Sequence, residues 1–374
     1  MIAGFIETVG EGVALALGGA VVGIAFGFFA QRSRFCLRAA VIEFWHRRFG
    51  EKLSVWLLAF SSAVVAVQLL ALAGFLDTSA ARQIASRGSL SGALIGGVLF
   101  GMGMILTRGC ASRLLVLSAN GNLRALLSGL IFAVTAQASL GGALAPLRET
   151  IGGWWTIDGG PSRDILALLS VGHWGGLVFG LVWAVAALYF VGRSTSRSRW
   201  MWIGGIGTGL MVAAAWATSQ WVAKNSFEPI QIQGMTFSGP SAEWLMRVLA
   251  KPVPPIGFEF GMLPGVFIGS LLAAWVGGDL KLEGFGGGYT MPRYIVGAIL
   301  MGFGSMLAGG CAVGAGMTGG SIFAITAWLS LFGMWIGAGL TDRLIDSPSH
   351  SASSTTNVLP SHSQAQTPAP GLAP

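Results

Sequence analysis

The chain has 374 residues, of which 53% are hydrophobic and only 10% are charged. This composition excludes an ordinary soluble globular protein, in which about 25% of residues are charged. The formal net charge of +7 partly reflects basic loops between apolar segments. It is therefore no evidence for a nucleic-acid partner, and no nucleic-acid-binding motif is present.

Nine apolar segments recur along the chain, and most are long enough to cross a bilayer, which takes roughly 17–25 residues in a helix. They span residues 11–30, 53–75, 90–106, 123–145, 165–192, 200–222, 257–278, 293–309 and 320–340. The third and the eighth are short. The sequence therefore predicts an all-α integral membrane protein, with residues 1–345 forming one polytopic membrane transport domain.

The last stretch, residues 346–374, is rich in Ser, Pro, Thr and Ala and has no apolar periodicity. Such a composition predicts a disordered tail. Two of the four histidines, His350 and His362, lie in it, and the histidines form no metal-ligand pattern. We expect neither a metal site nor a cofactor.

The loops differ in their basic residues, and this difference predicts an orientation. Sequence after odd-numbered segments carries 14 Lys and Arg, against 7 at the N-terminus and after even-numbered segments, with Arg124 inside a segment. Basic loops stay in the cytoplasm. The N-terminus is therefore expected outside the cell, and the C-terminal tail in the cytoplasm.

The three cysteines follow three versions of one glycine-rich apolar frame. The frames are Gly23-x3-Gly27-x8-Cys36, Gly97-x3-Gly101-x8-Cys110, and a third that runs through Gly302 to Cys311 with Ala298 in place of the leading glycine. A thiol is a weak donor and a polarizable acceptor, so it suits a soft sulfur ligand. The chain has only three cysteines, and all three occupy the same position after this frame. We therefore interpret these thiols as sites of sulfur chemistry within the membrane.

Two of the frames form an internal repeat, because GMGMILTRGCAS from Gly101 aligns with GFGSMLAGGCAV from Gly302. The two copies open at segments that enter from opposite sides, which predicts an inverted-topology repeat with broken helices around a substrate site. Each helix is expected to break at its Gly-Cys step and to continue as a short second helix. Gly309 and Gly310 flank the break before Cys311, where unusual backbone angles are expected.

Charged residues accompany the first two cysteines. Arg34 and Arg108 each lie two residues before a cysteine, whereas the third frame has Gly309 there. An arginine within a membrane usually faces a cavity or a partner. Arg38 and Arg113 follow the same two cysteines. These arginines either attract an anion at the mouths of a pore or reach lipid headgroups and acidic partners, and the sequence leaves both interpretations open.

The motifs FCLRAA around Cys36, GMGMILTRGCASR around Cys110 and GFGSMLAGGCAVGAG around Cys311 resemble those of the YeeE/YedE family of bacterial inner-membrane proteins. The segment TFSGPSAEW, from Thr236 to Trp244, also resembles a family segment. The similarity covers roughly residues 10–343. This family includes thiosulfate uptake transporters.

The resemblance implies an hourglass protein of the bacterial cytoplasmic membrane with nine crossings and additional short helices. It also implies that Cys110 and Cys311 lie at a central constriction, that Cys36 lies nearer the cytoplasm, and that thiosulfate passes between them by transient S–H···S hydrogen bonds. The expected path comprises Cys36, Cys110, Cys311, Arg34, Arg108, Gly109 and Gly310. A small cytoplasmic sulfur-carrier protein is an expected partner, with the basic stretch from Arg32 to Lys52 as its docking site.

Two alternatives to thiosulfate uptake stay open. The cargo is another sulfur or selenium species, or the protein is a membrane thiol oxidoreductase that cycles between Cys110 and Cys311. Against an enzyme, the chain has no Cys-x-x-Cys, haem ligand set, quinone-site signature or nucleotide motif. A purely structural scaffold does not explain the repeated cysteine frame. Oligomeric state and ion coupling are not determined by the sequence.

Overall fold

Helices make up nearly all of the secondary structure in the computed structural model, which describes residues 10–193, 198–226, 231–249, 256–285 and 291–345. The helices are α1 (Glu11–Arg32), α2 (Leu37–Trp45), α3 (Glu51–Leu72), α4 (Arg82–Ala85), α5 (Leu90–Leu106), α6 (Ala111–Ala119), α7 (Leu123–Gly141), α8 (Ala145–Gly153), α9 (Ile165–Leu168), α10 (Gly172–Arg193), α11 (Arg199–Asn225), α12 (Ser238–Leu249), α13 (Phe258–Gly277), α14 (Met291–Leu307) and α15 (Ile325–Ile345). A π-helical segment, Ala312–Gly319, lies between α14 and α15, and a 3-10 turn spans Pro161–Arg163. The strands β1 (Gly88–Ser89) and β2 (Thr156–Ile157) pair antiparallel. The tail predicted at 346–374 lies outside the described residues.

The prediction of an all-α membrane protein is confirmed. Among the described residues, eight helical stretches are long and apolar enough to cross a membrane, and they correspond to the first eight predicted segments. The ninth segment is the 21-residue helix α15, which is long enough but falls short of the same hydropathy. Its C-terminal turn carries Asp342 and Arg343, which lower the apolar average.

One predicted segment, 165–192, is divided in two by the backbone. The short helix α9 ends at Leu168, and Ser170 takes a left-handed φ of 55°. Gly172 is also left-handed, with φ 59°, and the long helix α10 begins there. A hydropathy average over this region cannot detect a turn made by two single residues, because the flanking residues remain apolar.

The glycine frames bring helices into very close contact. Helices α1 and α13 run side by side in the same direction, with glycines of each facing carbonyl groups of the other. A Cβ on Gly265 would lie 2.5 Å from the carbonyl oxygen of Ala20, so a larger residue cannot fit there. The same contact joins α5 to α15, where a Cβ on Gly333 would lie 2.7 Å from the carbonyl oxygen of Leu94. Small residues at such contacts are typical of helix packing in membranes.

Helices α5 and α14, which lead to Cys110 and Cys311, pack antiparallel. Gly96 near the start of α5 lies against Ala308 just past the end of α14, and Gly103 near the end of α5 lies against Gly297 near the start of α14. The two cysteine-bearing ends therefore point in opposite directions along the pair. This arrangement agrees with the predicted inverted repeat.

Candidate functional site

Each of the three cysteines is the N-cap residue of a short helix. Cys36 precedes α2, Cys110 precedes α6, and Cys311 precedes the π-helical segment. All three have extended backbone angles, which are typical of the residue at which a new helix starts. The break predicted at the Gly-Cys step is thus present at Cys110 and at Cys311, and Cys36 has the same geometry. Three thiols lie at the partially positive N-terminal ends of short helices.

The residue two positions before each cysteine is left-handed. Arg34 has φ 53°, Arg108 has φ 58° and Gly309 has φ 77°. In the second frame the N–H of Gly109 donates to the carbonyl of Met104 at 3.1 Å, and Arg108 N–H donates to Ile105 at 3.2 Å.

This is the Schellman ending of a helix, which usually has glycine at the left-handed position. The first frame has the same two hydrogen bonds, from Arg34 to Gln31 at 3.1 Å and from Phe35 to Ala30 at 3.0 Å. The two arginines and Gly309 are therefore structural equivalents. Both arginine side chains are exposed.

The thiols of Cys36 and Cys110 lie side by side within interaction distance of each other. Cys36 is half-buried and Cys110 is 1% exposed. The hydroxyl of Ser112 lies 3.4 Å from the Cys110 sulfur. The guanidinium of Arg113 is near enough to interact electrostatically with both thiols. One end of the protein thus brings two free thiols next to a cation.

Arg113 is held in place by Gln31 of α1, whose side-chain oxygen accepts a hydrogen bond from the guanidinium at 3.3 Å. Gln31 is buried and uncharged, so it orients Arg113 without neutralising its charge. Sequence reasoning included Arg113 among the arginines that could attract an anion but did not place it in the path, and it gave Gln31 no role. A signal existed for Arg113, because the third residue after an N-cap lies close to the capping side chain.

The third thiol, Cys311, has different neighbours. Its sulfur accepts hydrogen bonds from the backbone N–H of Phe237 at 3.4 Å and from the N–H of Gly314 at 3.5 Å. The hydroxyl of Thr236 lies 4.0 Å away. Cys311 is 1% exposed. The segment TFSGPSAEW, which the sequence singled out without a role, therefore supplies the wall around this thiol.

A cavity of about 380 Å³ reaches the break at Cys311. Thr236, Gly309 and Gly314 are among its lining residues, together with several arginines. Gly310 is buried within the break, where a Cβ would lie 2.8 Å from the backbone nitrogen of Ala315. The absence of a side chain at Gly310 thus allows the chain to turn directly into the π-helical segment.

The residues predicted for the path have two sets of neighbours. Cys36 and Cys110 lie together with Arg113, and Cys311 lies near Thr236 and Phe237 beside the arginine-lined cavity. The short helices that begin after Cys110 and Cys311 contact each other, and the expected constriction at these two cysteines stays a prediction. All three cysteines are free. In the part of the chain that the structure describes, no group of three His, Cys, Asp or Glu side chains is placed to hold a metal ion.

Comparison with known proteins agrees with the motifs. A profile of the family described as "Sulphur transport" matches residues 32–340. The protein named thiosulfate transporter TsuA from Spirochaeta thermophila is 27% identical over 348 residues, covering 87% of this chain and 98% of its own. A protein of the same name from Escherichia coli is 24% identical over 351 residues, covering 88% of this chain and 94% of its own.

Proposed function

The chain belongs to the sulphur transport family, and on this premise we propose that it takes up thiosulfate across the bacterial cytoplasmic membrane. The proposal rests on one structural feature that occurs at three places in the chain. A free cysteine occupies the N-cap position of a short helix at Cys36, at Cys110 and at Cys311. Two relatives that match along nearly their whole length are named thiosulfate transporters.

A cysteine at a helix N-terminus suits the chemistry of thiosulfate, a dianion with one soft terminal sulfur. Helix N-termini favour anions because of their free N–H groups and their partial positive charge. A thiol adds a weak, polarizable hydrogen-bonding group for the terminal sulfur. Sulfate has no such sulfur, so the thiols provide a means of discrimination. Contacts of this strength release the ion again, as conduction through several sites requires.

The proposed path runs from Cys311 to the Cys110 and Cys36 pair by transient S–H···S hydrogen bonds. With the N-terminus outside, Cys311 is on the outer side and the pair is on the cytoplasmic side. Arg34 and Arg108 attract the anion at the inner mouth, and Gly109 and Gly310 shape the breaks. Thiosulfate is not altered in this process, so the protein acts as a transporter and not as an enzyme.

A cytoplasmic sulfur carrier remains a proposed partner at the inner face. The stretch from Arg32 to Lys52 carries six basic residues. A further cavity of about 500 Å³ lies there, lined by Glu43, His46 and Arg48 among others. Positive charge at this face also follows from topology alone, so a pull-down with the purified protein is needed to identify a carrier.

One observation favours a runner-up, the thiol oxidoreductase. The closeness of Cys36 and Cys110 makes this pair, in place of Cys110 and Cys311, the one that a redox cycle would use. Mass spectrometry of the protein trapped during turnover distinguishes the two functions. A disulfide between Cys36 and Cys110 that forms and disappears with turnover would favour the enzyme.

Uptake of radiolabelled thiosulfate by cells that lack other sulfur importers tests the proposal. We expect import by the wild type, and loss of import in Cys110→Ser and Cys311→Ser at equal membrane expression. Serine retains the size but replaces the soft thiol with a hard hydroxyl. Thr208→Ser, at a buried helix position bonded to the Gly204 carbonyl, is the matched control. Normal import by both serine variants would refute the relay, and competition by sulfite or selenite tests the alternative cargoes.

A further inference from the structure

Four arginines line the cavity beside the break at Cys311, two from the connection between α3 and α5 and two from the connection between α7 and α10. They are Arg82, Arg87, Arg148 and Arg163. Glu243 is the acidic residue among the lining residues. The cavity has a volume of about 380 Å³, which is many times the space that one water needs, so a small oxyanion fits there while still partly hydrated.

Arg163 is the most unusual of the four because its charge is buried. It is 5% exposed, and its guanidinium donates to the Ser86 carbonyl and, at 2.7 Å, to the Thr326 hydroxyl. Both of these acceptors are neutral. Its Nε atom is buried with no hydrogen-bond partner among the described residues, and the same is true of Arg148.

A buried cation without a carboxylate is costly. Burial accordingly lowers the pKa of the Arg163 guanidinium, with desolvation as the cause. Acidic side chains lie near the other three arginines. Asp158 is 3.9 Å from Arg87 and Glu149 is 3.3 Å from Arg148. The buried carboxyl group of Glu259 interacts electrostatically with Arg82.

Arg163 differs, because no carboxylate of the described residues lies within ion-pair distance of it. Its charge is therefore the one that remains available to an anion in the cavity.

Membrane topology does not account for these arginines. All four lie in loops after even-numbered segments, on the side that the orientation rule makes poor in basic residues. That side carries 7 of the 22 Lys and Arg residues, and four of those seven line this one cavity. Such concentration is expected of a site that gathers anions.

We propose that this cavity is an oxyanion-capture site, with Arg163 as its central cation, that binds divalent oxyanions with or without a soft sulfur. Selection for sulfur then takes place one step further in, at the Cys311 thiol. The inference deepens the proposed function by separating capture by charge from selection by sulfur. It predicts that sulfate occupies the cavity and blocks it, although sulfate is not passed on to the thiols.

Isothermal titration of the purified full-length protein in detergent tests this, with sodium thiosulfate and sodium sulfate as the probes. We expect both anions to bind the wild type with affinities within about tenfold of each other. Arg163→Gln removes a charged hydrogen-bond donor, so both affinities should fall about tenfold or more. Cys311→Ser should leave sulfate binding unchanged. Arg199→Gln, an exposed arginine outside the cavity, is the matched control.

Two results would overturn the proposal. One is a wild type that binds thiosulfate but not sulfate, since capture would then require the sulfur. The other is a folded Arg163→Gln protein with unchanged affinity for both anions. If Arg163→Gln does not fold, anion binding by Arg87→Gln is measured instead, because that side chain is 70% exposed and its loss should not disturb packing. Unchanged affinity for both anions in Arg87→Gln would then overturn the proposal. Intact anion binding in a protein that imports no thiosulfate would contradict the proposed function while leaving the capture site standing.

Discussion

The backbone N–H of Phe237 lies 3.4 Å from the sulfur of Cys311, although the two residues are 74 positions apart in the chain. The N–H of Gly314 approaches the same sulfur at 3.5 Å. With these amides donating to its sulfur, the Cys311 thiol keeps its own S–H to donate elsewhere. A ligand with a soft sulfur that arrives through the neighbouring cavity is the acceptor that this geometry favours.

The hydroxyl of Thr236 should contribute to that geometry. It lies 4.0 Å from the Cys311 sulfur and 3.3 Å from the Ser238 hydroxyl. Thr236→Val retains the shape but removes the polar group, which is worth about 1 kcal/mol. We expect the KM for thiosulfate uptake to rise about fivefold with little change in expression. Thr208→Val, a buried threonine bonded within α11, should leave the KM unchanged; an equal effect of both variants would indicate a loss of stability instead.

The two glycines before Cys311 should respond differently to alanine. A Cβ on Gly310 would lie 2.8 Å from the Ala315 nitrogen, so Gly310→Ala must displace the start of the π-helical segment. Gly309 has open space around it but a φ of 77°, so Gly309→Ala costs only backbone strain of about 1 kcal/mol. We expect Gly310→Ala to lose most uptake and Gly309→Ala to keep at least half of it. The reverse order would show that the thiol position does not depend on this turn.

Glycine substitutions at the left-handed arginines separate the effect of the backbone conformation from the effect of the charge. Arg34→Gly and Arg108→Gly keep the helix ending and relieve the unfavourable left-handed conformation. The free energy of unfolding should therefore stay equal or rise by about 1 kcal/mol. If the charges attract the anion, the KM for uptake rises in both variants. Arg47, also left-handed with φ 54° but in the loop after α2, provides the control Arg47→Gly. An unchanged KM in Arg34→Gly and Arg108→Gly would remove both arginines from the path.

The neutral partner of Arg113 should matter for the thiol pair. In the native protein the Gln31 side-chain oxygen lies 3.3 Å from the Arg113 guanidinium nitrogen. Gln31→Glu places a carboxylate at this contact and so neutralises the cation near Cys36 and Cys110. We expect uptake to fall at least about tenfold while the protein still folds, because the new charge is paired. Gln31→Met, which is similar in size but uncharged, should cost less. Equal uptake by Gln31→Glu and the wild type would argue against contact between the substrate and Arg113.

Gly88 offers an independent test of the buried arginine. A Cβ on Gly88 would lie 2.6 Å from Cζ of Arg163, so Gly88→Ala must move the guanidinium. We expect sulfate and thiosulfate to bind several-fold more weakly in titration. Gly152→Ala is the control, since the nearest atom to its Cβ would be 3.8 Å away. Unaltered binding in Gly88→Ala would mean that the position of Arg163 is not important for the anion.

Much of the architecture could be predicted because it depends on local properties of the chain. Apolar segments partition into a bilayer according to their own composition, so eight of the nine predicted segments were found as spanning stretches. The breaks at Cys110 and Cys311 were predicted because glycine and cysteine there interrupt an apolar run. The left-handed turn at Ser170 was missed, since neither hydropathy nor serine itself signals it.

The composition of the site was decided by the tertiary structure alone. The sequence identified the three thiols from their repeated frame, but the pairing of Cys36 with Cys110 depends on how α6 packs beside α1. Phe237 reaches Cys311 from a distant segment, and the cavity arginines come from two connections that are far apart in the chain, so no local pattern links them. Composition and spacing determine which segments enter the membrane and which residues interrupt them, because those choices are made residue by residue. Which side chains then meet depends on the close packing of whole helices through their glycines, which only the folded chain establishes.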